Sequence, residues 1–239
     1  MRTMPSSADE LRRRLVQRWP HLLPPGGADP RPPVFDGCTR AAERLRRRGE
    51  YRRAGLALVM PDPVLLQVRI NLLADLGSLV AATPGLKQGL VRLSADQVPV
   101  ARRSRDLRGG SLLRAGRQLR FPAARLGKVG LLVIAALAVD RRGLVLDDGR
   151  GLAALTLALL HRLGSWSPAG KVAVLADDSQ VIDQVPPHRL APAADLIVTP
   201  SQVITVGHPP QTELALEDLP PELASLPVVK AVRSRGTTG

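Results

Sequence analysis

Five consecutive residues, Asp147-Asp148-Gly149-Arg150-Gly151, carry the densest set of chemically useful groups in this chain. Gly149 and Gly151 stand just ahead of an apolar stretch that opens at Leu152. Their backbone N–H groups could therefore meet a phosphate at a helix start. Arg150 could add positive charge beside that phosphate, and Asp147 with Asp148 offers the hard carboxylate oxygens that magnesium takes. The same two acids ahead of a helix also read as ordinary caps, which hold backbone N–H groups rather than ligands. Other chemistries find no pattern. The four histidines (His21, His161, His188, His208) and the single Cys38 lack metal-ligand spacing. No nucleophile elbow, Walker A loop or G-x-G-x-x-G fingerprint occurs.

A loop of this kind needs a strand before it and a helix after it. Leu131 to Val139 is an uncharged apolar run that reads as a buried strand. Leu152, Leu155, Leu159, Leu160 and Leu163 mark the core face of a helix over 150–163. Upstream, Ser6 or Ser7 is placed to cap a first helix, which Pro20 ends after Trp19. Residues 20–33 form a Pro- and Gly-rich connector, and Phe35 to Arg53 predicts a second helix. Gly55 to Met60 and Leu79 to Ala82 read as strands on either side of a helix marked by Val64, Leu65, Val68, Leu72, Leu73 and Leu76. Residues 101–127 are Arg- and Gly-rich and predict a lid or excursion. A strand at Val172 to Leu175, a short helix near 179–184 and a strand at Leu196 to Val198 follow.

This alternation predicts an α/β fold, a three-layer αβα arrangement with a mostly parallel sheet covered on both faces. The expected domain spans 1–206, and the Pro/Glu-rich then basic segment 207–239 reads as a peripheral, flexible tail. Aromatic residues are only 2% of a chain that is 44% hydrophobic, so the core must rest on Leu, Val, Ala and Ile. The net charge of +13 is concentrated before residue 129. A basic half attracts phosphate-rich partners, and an arginine-biased solvated surface is the plain alternative. The scarcity of stacking aromatics disfavours single-stranded nucleic acid without excluding it. The longest uncharged apolar run, Val129 to Val139, is shorter than the ~20 residues that span a bilayer. With no apolar signal region in Met1 to Leu15 and one cysteine, a cytoplasmic protein is expected.

Several segments, in order, resemble the 5-formyltetrahydrofolate cyclo-ligase (methenyltetrahydrofolate synthetase) family, nearest its synthetase-domain subgroup. Arg31-Pro32-Pro33-Val34-Phe35-Asp36-Gly37-Cys38 is similar to R-I-P-N-F-x-G-A, and Met60-Pro61-Asp62 through Val68-Arg69 to N-P-D-x-P-Q-x-P-V-R. Ala82-Thr83-Pro84-Gly85-Leu86 resembles A-x-P-x-L, and Ala138-Val139-Asp140 with Gly143 resembles A-V-D-x-x-G. Gln180-Val181 and then Asp195 to Ile204 resemble Q-V-V and D-x-I-V-T-P-T-x-V-I. The resemblance covers about residues 8–206.

The resemblance implies a fold related to the ribose-phosphate isomerase and CoA-transferase group. It also implies ATP- and Mg-dependent conversion of 5-formyltetrahydrofolate to 5,10-methenyltetrahydrofolate, with phosphorylation turning the formyl oxygen into a leaving group. Arg12 falls at a phosphate-contacting basic position, and Arg69 and His188 at candidate catalytic positions. A structural arginine and an exposed loop histidine are the alternatives for the last two. Against the family loop G-K-G-x-G-Y-x-D-L-E, this chain keeps Gly149 and Gly151 but has Asp148 for the lysine and Ala154 and Thr156 for the acids. Leu76-Gly77 replaces the family's G-K after the helix marked by Val64 to Leu76, and Arg189 stands in place of the aspartate that follows its histidine. A paralogue that binds nucleotide or folate without turnover is therefore a competing expectation, as is a basic RNA- or protein-binding module.

Overall fold

The computed structural model describes residues 7–18, 30–121, 125–190, 192–210 and 214–234. Most of the connector expected over 20–33, together with Ser6, Trp19 and Pro20, lies outside the described residues. The first half runs α1 (Ala8–Arg18), α2 (Cys38–Arg46), α3 (Gly49–Arg52), β1 (Ala57–Val59), α4 (Leu66–Asp75), β2 (Ser78–Ala82) and β3 (Leu90–Ser94). Two short helices, α5 (Arg103–Asp106) and α6 (Leu112–Ala115), then lead into β4 (Arg117–Leu119). After these come β5 (Val129–Ala135), β6 (Ala138–Asp140), β7 (Val145–Leu146), α7 (Leu152–Arg162), β8 (Trp166–Leu175), β9 (Val181–Ile182), β10 (Leu196–Val198) and β11 (Val203–Thr205). Helices α8 (Pro221–Ala224) and α9 (Pro227–Arg233) close the described chain.

Eight strands form the main sheet in the order β11-β10-β8-β5-β1-β2-β3-β4. The central five are parallel neighbours, whereas β11, β3 and β4 join antiparallel at the two edges. A strand buried on both faces carries little polar alternation, and β5 is accordingly apolar almost throughout. Helices α2 and α4 pack on each other, and α7 packs against β5, β8 and α9, so helices flank the sheet. The expected mostly parallel α/β architecture is the one observed.

Several elements differ from the sequence reading. The helix expected over Phe35 to Arg53 breaks at Arg47–Arg48 into α2 and α3. Strand β3 pairs residue for residue with β2, a hairpin partner that its central Arg92 conceals from a search for apolar runs. Residues 101–121, expected as part of a lid or excursion, form 3-10 turns, α5, α6 and β4. Near 179–184 a 3-10 turn at Asp178–Gln180 passes into β9 in place of a helix. The segment read as a peripheral tail buries Leu216, Leu223, Val228, Val229 and Val232 in the main core. Prolines at the starts of α8 and α9 suit helix entry, where no amide donor is needed.

A second sheet, β7-β6-β9, sets the glycine loop. Its own small core joins Ala8, Leu11 and Leu15 of α1 to Leu137, Ala138, Leu144 and Leu146. Helix α1 is entered through Ser7, whose hydroxyl accepts the amide of Glu10 at 3.2 Å.

Candidate functional site

A cavity of about 560 Å³ opens where β1, β2 and β5 end. Open parallel sheets bind ligands in the crevice outside the carboxyl ends of their strands, and this volume suits a small molecule. Met60, Pro61 and Asp62 line it from the end of β1, Pro84 and Gly85 from β2, and Ile134 and Ala135 from β5. Arg31, Pro32 and Val34 contribute from the segment before α2. The excursion supplies Arg108, Gly109 and Gly110, and the glycine loop supplies Asp147, Asp148 and Arg150.

The glycine loop holds its own anions. The carboxylate of Asp147 accepts the amide of Gly149 at 2.9 Å and that of Gly151 at 3.2 Å. The amide of Arg150 donates to Asp148 at 3.1 Å, and the Arg150 guanidinium donates to the same carboxylate. A phosphate cradle needs those three donors available, and here side chains of the loop engage them. Gly149, Arg150 and Gly151, expected from sequence to meet a cofactor, here donate their amides to Asp147 and Asp148, the pattern that capping acids make. Burial raises the pKa of Asp147, with Asp148 adding to the rise, while the Gly149 amide and Arg12 oppose it. Leu190 closes the loop from outside, since a Cβ at Gly151 would stand 2.7 Å from its Cδ1.

Arg12, expected at a phosphate-contacting position, reaches this loop and bonds to Asp147 and Asp9. Its Nε donates to the Asp147 carbonyl at 2.9 Å, Nη2 to the Asp147 carboxylate at 3.3 Å and Nη1 to Asp9 at 2.6 Å. The guanidinium also lies over Gly149, where a Cβ would meet Cζ at 3.4 Å. His188 sits behind the loop, with Nδ1 3.2 Å from the Pro186 carbonyl and a buried Nε2 that has no hydrogen-bond partner. Burial lowers its pKa, and the nearby Asp147 carboxylate and Pro186 carbonyl pull the other way. Neither Arg12 nor His188 lines the cavity, nor do Gly149 and Gly151.

Arg69 does line it, yet is fully buried and pinned to backbone. It donates to the carbonyls of Leu107 at 2.8 Å, Met60 at 2.6 Å and Asp62 at 3.1 Å. Burial lowers its pKa to about 10, with Asp62 opposing. The side chain therefore ties the end of β1 to the excursion, the structural alternative for this residue. Asp147 and Asp148, read as magnesium ligands, engage amides and Arg150, and no group of three or more His, Cys, Asp or Glu is arranged to hold a metal among the described residues.

Asp62 was not among the residues singled out from sequence. Burial and the neighbouring Asp148 push its pKa up to about 6, against the pull of Arg69 and Arg150. Arg31 and Arg108 were missed as well. Arg31 lies in the quoted R-P-P segment and Arg108 in no motif, and nothing in the sequence shows that they share a cavity with Asp62.

The sequence model of the 5-formyltetrahydrofolate cyclo-ligase family matches residues 5–200. The chain belongs to this family. Among cyclo-ligase relatives, the methenyltetrahydrofolate synthase domain-containing protein of Bos taurus is 29% identical over 232 residues, covering 91% of this chain and 60% of that protein. Its Mus musculus counterpart is 28% identical over 245 residues, covering 96% and 64%. The chain thus spans less than two thirds of the length of these relatives. The NMR structure of Aquifex aeolicus 5,10-methenyltetrahydrofolate synthetase superposes with a TM-score of 0.53 at 16% identity, covering 87% of this chain and 96% of that one, a likeness of fold. No helix among the described residues is long and apolar enough to cross a membrane.

Proposed function

We propose that the cavity receives a reduced folate and that the chain is a 5-formyltetrahydrofolate cyclo-ligase-like protein. Asp62 is the observation that carries this reading, a carboxylate lining a largely apolar cavity at the strand ends of a cyclo-ligase fold. A pteridine presents a ring N–H and an amino group side by side, and a carboxylate accepts both. Met60, Leu66, Ile134 and Leu152 offer apolar surface to its flat faces.

In the family reaction, ATP with magnesium would activate the formyl oxygen. The loop residues of this chain do not fit that group, because their amides already donate to Asp147 and Asp148. At the position of a family acid, Thr156 donates its hydroxyl to the Leu152 carbonyl at 2.8 Å within α7. The geometry favours folate binding without nucleotide, and the family match over 5–200 favours turnover as the second reading.

One experiment addresses both. Purified protein is titrated with 5-formyltetrahydrofolate alone, followed by its melting temperature, and then given ATP and magnesium while the methenyl chromophore is monitored. A ligand bound only by the folded form raises the midpoint. Stabilisation without chromophore is the expected result. Chromophore formation establishes the second reading, and neither response removes the folate assignment.

A further inference from the structure

Four arginines line the cavity, and they differ in what they have left to offer a ligand. Arg69 is committed to three backbone carbonyls, and Arg150 is paired with Asp148. Arg31 has no hydrogen-bond or ion-pair partner among the described residues. Of the Arg108 guanidinium, only Nε donates among the described residues, to the Ser104 carbonyl at 3.2 Å. Both are exposed at the cavity wall.

We propose that Arg31 and Arg108, beside the open backbone at Gly110, form the anion-binding part of this cavity, taking the carboxylate or phosphate group that the glycine loop does not. The guanidinium fork matches the paired oxygens of either anion. Arg108 is held in place from both sides. Before it, Leu107 is fully buried and its carbonyl accepts Arg69 Nε. After it, Gly109 lies against the end of β1, where a Cβ would stand 2.7 Å from the Pro61 carbonyl oxygen. A Cβ at Gly110 would meet nothing within 4 Å, so its backbone faces open space. Asp62 and Asp148 repel an anion from their side of the cavity, which sets the orientation of a ligand with one donor-rich end and one acidic end.

The carboxylate arm rests on the folate reading, and the phosphate arm does not. The test measures dissociation constants by calorimetry for 5-formyltetrahydrofolate, for a tetrahydropterin lacking the benzoylglutamate tail, and for inorganic tripolyphosphate. Wild type is compared with Arg31→Gln, Arg108→Gln, the double variant and, as a surface control, Arg114→Gln. Each cavity variant is expected to weaken an anionic probe about tenfold or more, and the control to leave it unchanged. Loss for the folate but not for the tail-less pterin assigns a carboxylate, and loss for tripolyphosphate assigns a phosphate. Arginine-dependent tripolyphosphate binding without folate binding keeps this inference and removes the folate reading. If the double variant binds both anions as wild type does, or wild type binds neither, the inference is overturned.

Discussion

Two aspartate–glycine turns stand close together in this chain and do different work. At the first, Asp140 is fully buried and accepts the amides of Arg142, Leu144 and Val185 together with the Arg142 guanidinium. Gly143 ends that turn at φ 88, with a Cβ position 2.4 Å from the Ala194 carbonyl oxygen. At the second, Asp147 accepts the amides of Gly149 and Gly151 and the Arg12 guanidinium, while lining the cavity. Gly149 has nearly the same φ, 89, yet the atoms nearest its Cβ position belong to the Arg12 side chain, at ordinary contact distance. Local chemistry is shared, and the packing around it separates a sealed structural turn from one that faces a ligand site.

Breaking the sealed turn is expected to have the largest effect. Asp140→Ala leaves two buried amides, the part-buried Arg142 amide and the Arg142 guanidinium without their acceptor, which costs about 3–5 kcal/mol in denaturant unfolding. Gly143→Ala combines an unfavourable φ with a backbone clash and is expected to cost about 2–4 kcal/mol. Asp147→Ala releases fewer groups, near a cavity that water can reach, for about 1–3 kcal/mol. Gly149→Ala carries the φ penalty alone, about 1–2 kcal/mol, and leaves any ATP-induced change in melting temperature as it was. A variant that abolished such a change would restore the loop as a phosphate cradle.

The smallest effect follows pH. The folded-state pKa of Asp62, about 6, lies above the ordinary aspartate value, so the folded protein binds more protons in this window. Stability from this group is complete below about pH 4 and falls as pH rises through about 6. A fall in melting temperature across this window, abolished by Asp62→Asn, is the expected signature. An unchanged slope in that variant would place the titration elsewhere.

Much of the fold was legible because burial on both faces leaves uninterrupted apolar runs. Strands β1, β2, β5, β8 and β10 and helices α4 and α7 follow such runs or a 3.6-residue stripe. Strand β3 was hidden because hairpin pairing at a sheet edge tolerates Arg92, which donates to the Leu126 carbonyl at 2.6 Å. The closing helices were hidden because their prolines and acids resemble loop composition, although the valines of α9 are buried. At the site, the loop could be located but its occupancy could not, since Asp147 as cap and Asp147 as metal ligand have identical sequence signatures.

Residue order alone determined the α/β class, the position of the glycine turn before α7 and the family pattern, all of which depend on neighbours along the chain. Tertiary structure decided that Asp147 fills its own loop, that Arg69 is a strut, and that Asp62, Arg31 and Arg108 share one cavity. Those outcomes turn on which distant backbone and side-chain groups reach hydrogen-bonding distance, and chain spacing carries no record of that.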